Sequence, residues 1–113
     1  MTLAQALADW LPAFALTQAV EAPIYRWGAR ASWARAFGAS ALTHPLVWFA
    51  APALLEPAVG YTAMVAVAEA FAVGAEALWI GRGGVTRPLR WSLIANAASL
   101  AVGLALRALS SPG

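Results

Sequence analysis

Residues 61–81, YTAMVAVAEAFAVGAEALWIG, form an apolar stretch rich in Ala and Val that carries two carboxylates, Glu69 and Glu76, seven residues apart. At 1.5 Å per residue a helix of this length spans about 30 Å, the thickness of a bilayer's hydrocarbon core. Seven residues make two helical turns, so both carboxylates project from nearly the same face. Neither can be left in lipid, and that face has to meet other helices or water.

The composition points the same way. Hydrophobic residues make up 62% of the chain and charged residues 11%, where a soluble domain carries about 25% charged residues. The 113 residues form a single domain, 1–113, with room for four spans of roughly 20 residues each. The expected fold is therefore all-α: a polytopic membrane protein built as a four-transmembrane-helix bundle, with helices at about 5–22, 36–55, 61–81 and 91–109. There is no cysteine, which excludes disulfides, thiolate metal sites and thiol nucleophiles.

On either side of the 61–81 helix the chain repeats one pattern of apolar runs separated by short polar connections. Residues 1–25 are apolar but interrupted by Asp9, Pro12, Gln18 and Glu21, and Pro23 is expected to end the first helix. No basic residue precedes Arg26, so the charged start of a signal peptide is missing and the segment is kept as a span. Residues 36–55 contain neither carboxylate nor Arg. His44 and Pro45 lie near the middle of this run, where the proline frees the carbonyl of Ala41 and predicts a kink. Glu56, Pro57 and Gly60 make a tight connection, and the last span starts at Trp91 and leads to a short tail over 110–113.

All seven basic residues are Arg, and six of them fall in two connections: Arg26, Arg30 and Arg35, then Arg82, Arg87 and Arg90. Basic loops stay cytoplasmic. The expected location is thus a bacterial inner membrane, multi-pass, with both termini outside, and this distribution speaks against nucleic acid as a partner. Trp27, Trp33, Trp79 and Trp91 fall at the inner surface, and Trp10 and Tyr61 at the outer one, as amphipathic rings at head-group level should.

Depth then sorts the polar residues. Glu21, Glu76 and Asn96 share an inner level, His44 and Glu69 a middle one, and Arg35, Arg82 and Arg87 stand at the cytoplasmic mouth. These five inner and middle residues are the candidate intramembrane polar site. Each also has a plainer reading. Ser92, Asn96, Ser99 and Gly103 form a stripe suited to close helix packing, as does Gly74 within the small-residue face of the third helix. His44 could bond a carbonyl freed by the kink, and Glu21 could pair with Arg26 at the interface. Glu69 is the hardest to explain structurally, because a carboxylate at mid-membrane needs a partner or a proton.

Three classes of function fit. A helper or assembly subunit of a membrane complex, gripping a membrane-protein partner or forming a homo-oligomer in the bilayer, is the first expectation. The alternative is an oligomeric proton- or cation-coupled small transporter, with Glu69, Glu76 and His44 as a relay. A metal-dependent intramembrane enzyme with His44 and the glutamates as ligands comes third. HExxH, GxSxG and P-loop motifs are absent, so the balance leans against an enzyme. No cofactor is indicated, and metal binding stays open.

The order of motifs also resembles a family. Glu21, Pro23 and Tyr25, then ALTHPLVW at 41–48, EAFAVGAEA at 69–77, and SLIANAAS at 92–99 with Gly103 are similar to small four-helix bacterial and archaeal integral membrane proteins of uncharacterised function. The resemblance covers about 17–103 and implies the topology and a polar centre, with no activity attached. Where that pattern often has Asn before its Thr-His-Pro element this chain has Ser40, which speaks against a hydrogen-bonding role there.

Overall fold

A computed structural model describes residues 2–110. Among them the chain is all-helical, with no strand. Helix α1 runs Leu3–Pro23, α2 Trp33–Pro45, α3 Ala51–Leu54, α4 Glu56–Val59, α5 Tyr61–Arg82 and α6 Pro88–Ser110. Two π-helical segments, Ile24–Gly28 and Leu46–Ala50, continue α1 and α2 without a break. Residues 111–113 of the expected tail lie outside the described residues.

Local chemistry explains most of these limits. Thr2 caps α1 reciprocally with Gln5: its hydroxyl accepts from the Gln5 backbone N–H, and the Gln5 side chain accepts from its own N–H. Ser32 caps α2 by accepting from the Arg35 N–H at 3.1 Å. The last long helix starts at Pro88, ahead of the expected Trp91, because proline suits a first helical turn. The connection expected at Glu56, Pro57 and Gly60 is itself a single helical turn, ended by Gly60 at φ 84°.

The two prolines behave alike. Pro23 ends the regular helix α1, as expected, but not the helical path. Like Pro45, it is the last residue of a regular helix that widens at once into a π turn. A proline inside a helix removes one N–H and crowds the carbonyl four residues back. The widened turn accommodates that disturbance and keeps the chain helical, so α2, its π segment and α3 form one continuous path from residue 33 to residue 54.

The long helices close into a ring: α1 packs on α2, α2 on α5, α5 on α6, and α6 back on α1. The body measures 40 × 29 × 28 Å. Its partition of residues is inverted relative to an ordinary soluble domain. The buried set is mostly Ala, with Glu21, Ser40, Thr43, Glu76, Ser92 and Asn96 among its polar members, while Leu42, Leu46, Phe71, Leu78, Leu93 and Leu104 face outward. Helices α5 and α6 are each long and apolar enough to cross a membrane.

Core packing is concentrated at the arginine-bearing end. There Tyr25 and Ile80, both with no exposed surface, pack with Ala22, Ala36, Ala39 and Ala95 under the rings of Trp79 and Trp91. A smaller cluster of Ala51, Met64 and Ala68 joins α3 to α5 nearer the opposite end.

Candidate functional site

Inside the ring two carboxyl groups are held by neutral donors. Glu76, on the inward face of α5, accepts from the Tyr25 hydroxyl at 2.6 Å and from the Asn96 amide at 3.2 Å on Oε1, and from the Thr43 hydroxyl at 2.6 Å on Oε2. Glu21, near the end of α1, accepts from Ser40 Oγ at 3.2 Å on Oε1 and from Ser99 Oγ on Oε2. The two carboxyl groups also lie within hydrogen-bonding reach of each other. Donors thus arrive from α2, the first π segment and α6, and the carboxyls from α1 and α5.

Helical spacing makes this convergence possible. Ser92, Asn96 and Ser99 recur at steps of four and three, so all three face inward from α6. Ser92 donates to the Val73 carbonyl at 2.7 Å, pinning α6 to α5. Asn96 holds the Ser92 carbonyl at 2.9 Å with the same amide group that reaches Glu76, which fixes the orientation of that amide. The stripe therefore serves both readings, pinning α6 to α5 through Ser92 and supplying donors to the carboxyls through Asn96 and Ser99.

A cavity of about 330 Å³ opens above this pair. Glu21, Glu76, Asn96 and Ser99 line its floor, His44, Trp48 and Glu69 its wall, and Tyr61 and Arg107 its mouth. At the mouth the Arg107 guanidinium lies 3.4 Å from the Tyr61 hydroxyl. Glu69 is half-buried and makes no hydrogen bond among the described residues. His44 Nδ1 accepts from the indole N–H of Trp10 at 2.9 Å, and its ring stacks on Trp48 with centroids 6.0 Å apart.

The opposite, basic end is closed by a reciprocal clamp. Arg35 donates through Nη1 to the Trp79 carbonyl at 2.9 Å, Trp79 donates through Nε1 to the Arg35 carbonyl at 3.0 Å, and the guanidinium sits 4.2 Å from the indole centroid. Two glycines let this pair come close. A Cβ on Gly38 would stand 2.8 Å from the Trp79 ring, and one on Gly83 would stand 2.8 Å from the Arg35 side chain. Nearby, Gly28 is covered by Trp91 just as tightly.

The candidate residues therefore separate into groups. Glu21, Glu76 and Asn96 come together on the floor with Ser99, and Ser92 packs beside them. His44 and Glu69 share the cavity wall, and no hydrogen bond joins them. Arg35 belongs to the clamp, while Arg82 and Arg87 are exposed. Gly74 and Gly103 are not at close helix contacts, because nothing lies within 4 Å of a Cβ built on either. Ser40 does hydrogen-bond, to Glu21, since a short hydroxyl at a helix contact reaches the carboxyl without the length of Asn. His44 bonds Trp10 instead of a freed carbonyl, and Glu21 turns inward to Ser40 and Ser99 while Arg26 lies over the Trp33 ring at 5.6 Å.

Tyr25, Thr43 and Trp79 take part although none was among the candidate site residues. Tyr25 and Thr43 carried a usable signal, as polar residues inside otherwise apolar helical runs, but Trp79 looked like an interfacial ring. Among the described residues no three His, Asp or Glu side chains are placed to hold a metal ion. What the floor can do chemically is hold and release a proton. It joins two carboxyls and five neutral donors, with no basic side chain hydrogen-bonded to either carboxyl among the described residues. Comparisons of the chain with protein-family models, curated proteins and solved structures returned no match.

Proposed function

We propose that this chain is a multi-pass protein of a bacterial inner membrane, with four spans and both termini outside, that carries protons or a small cation through its central cavity. Supporting the location are the inverted surface, the two long apolar helices, and a body 40 Å long that matches a bilayer with its interfaces. Helix α1 and the helical path from 33 to 54 supply the other two spans. Basic connections at one end support a cytoplasmic position for that end, and in this reading the cavity opens to the outside and the Arg35–Trp79 clamp seals the inside.

One observation carries the activity: three carboxyl groups, Glu21, Glu69 and Glu76, line one cavity, and no basic side chain hydrogen-bonds any of them. Uncompensated carboxylates away from water are costly, and a proton or a cation removes that cost. A group that must take up positive charge, placed at the end of an open cavity, is what a carrier requires. Four helices enclose little space, so the working particle is an oligomer. The kinship with small four-helix membrane proteins suggested by Glu21, Thr43, His44 and the Glu69/Glu76 pair agrees in topology and adds no activity of its own.

The test is a proton-flux measurement in proteoliposomes with a trapped pH-sensitive dye and an imposed potential. The wild-type protein should acidify the lumen, and Glu21→Gln and Glu76→Gln should each abolish the flux while the particle still elutes as a folded species. Flux unaffected by either change, or absent from the wild type with both protons and monovalent cations, overturns the reading.

A second reading, a helper or assembly subunit, is favoured by one feature of α5. Ala66, Ala70 and Gly74, at steps of four, are all exposed, and such a face allows a partner helix to approach closely. The mass of the particle taken from its native membrane in mild detergent separates the two readings. A different polypeptide in fixed ratio supports the helper, and a homo-oligomer supports the carrier.

A further inference from the structure

We infer that the wall of the cavity at Glu69, Trp48 and His44 is a binding site for a small organic ammonium ion, separate from the proton-holding floor. The inference rests on the carrier reading for its direction of entry, and it names a solute that the carrier's cavity would hold alongside a proton.

The floor offers an organic cation less than the wall does. Each oxygen of Glu21 and of Glu76 already accepts a protein donor, from Ser40, Ser99, Tyr25, Asn96 and Thr43. A carboxylate has about four lone-pair sites, and those left over lie on two groups that face each other. A guest coordinated there would have to displace hydroxyls at 2.6 Å. Glu69 is the opposite case. It lines the same cavity with both oxygens unclaimed among the described residues, so its acceptor capacity is available to a guest.

The neighbours of Glu69 specify what kind of guest. Trp48, stacked with His44 and 41% exposed, lines the cavity with it, and an indole face attracts an ammonium group. The indole N–H of Trp10 can only donate, so His44 Nδ1 must accept and the neutral ring carries its proton on Nε2. That N–H makes no hydrogen bond among the described residues. His44 therefore offers the cavity a donor in place of a lone pair, which suits an oxygen on an organic molecule better than a metal ion. Charge agrees: three carboxyl-bearing residues line the cavity against one guanidinium, that of Arg107 beside Tyr61 at the mouth. The volume of about 330 Å³ falls in the range of small-molecule sites. An ammonium group against Glu69 and Trp48, with a hydroxyl or carbonyl oxygen accepting from His44, satisfies every free group on the wall.

The test is calorimetric titration of the full-length protein in nanodiscs with ethanolamine and with choline, using ethylene glycol as the neutral control at matched ionic strength. Saturable binding of at least one ammonium and none of the glycol is expected. Glu69→Gln should weaken it by about tenfold or more, the scale of a lost charged hydrogen bond, and Trp48→Leu by about three- to fivefold. Glu69→Asp, which keeps the charge, should retain binding and guards against a folding artefact. No saturable binding of either ammonium, or equal affinity in Glu69→Gln, overturns the inference. Proton flux sensitive to Glu76→Gln in proteoliposomes of the same protein, without ammonium binding in nanodiscs, removes this site and leaves the carrier reading standing. Ammonium binding without any flux does the reverse.

Discussion

Gly28, Gly38 and Gly83, at the basic end, each lie against a large side chain so closely that an added Cβ would meet it at 2.6 to 2.8 Å, whereas Gly103 on the cavity side and Gly74 on the outer face of α5 have nothing within 4 Å. The same residue type serves close approach at one end and open space elsewhere. At the basic end the glycines let Trp79, Trp91 and Arg35 lie directly on neighbouring backbone, giving the dense contact that resists any change of volume. Around the cavity, polar side chains are held by hydrogen bonds across open space. Rigidity is concentrated where the bundle is sealed, and capacity where it is open.

The largest blow to this contrast should come from the floor. Glu76→Ala strands the Tyr25 hydroxyl, at about 1–3 kcal/mol for an unsatisfied donor, takes one bond each from Thr43 and Asn96, which keep the Ala39 and Ser92 carbonyls, and leaves a cavity in the buried centre of the bundle. A loss of roughly 3 kcal/mol or more is expected in reversible detergent unfolding, and a smaller loss than in the glycine variants would mean that those donors find water. Next come Gly28→Ala and Gly38→Ala, each expected to cost about 1–3 kcal/mol through overpacking against an indole. Gly103→Ala, in open space, should be neutral or stabilise by up to about 1 kcal/mol. If all three glycine changes behaved alike, the two regions would not differ as described. Arg35→Lys keeps the charge but loses the planar stack on Trp79, and should lower the midpoint by the equivalent of about 1 kcal/mol. Glu69→Gln should be the mildest, within about 0.5 kcal/mol, because no protein group depends on it.

The parts legible in the sequence were those set by counting along one helix. A constant rise per residue places Glu21, Glu76 and Asn96 at one level from three separate apolar runs, and alternating apolar and polar segments give the helical architecture. The donors were harder to see. Thr43 and Ser40 reach the carboxyls only because of how α2 is rotated against α1 and α5, and periodicity does not fix rotation when an all-round apolar surface leaves no polar side to orient a helix. Arg35 and Trp79 are 44 residues apart, and nothing local announces that the two will clasp. Pro23 is only half legible, since it ends the regular helix but not the helical path. The rule that proline ends a helix assumes that the freed backbone has no other arrangement, and the π turn that follows provides one.

That device has a consequence for how α2 can be read at all. On an uninterrupted helix Thr43 and Ala51, eight residues apart, would point about 80° away from each other, at roughly 100° per residue. Both are buried. The extra residue held in the Leu46–Ala50 turn takes back about 100°, which returns Ala51 to the side that Thr43 faces. The helix is thus written in two frames with a shift between them, and deleting a single residue from 46–50 removes the shift together with the residue that makes it: seven residues of regular helix come within about 20° of two full turns, so Ala51 should stay against Met64 and Ala68 while Thr43 stays on Glu76.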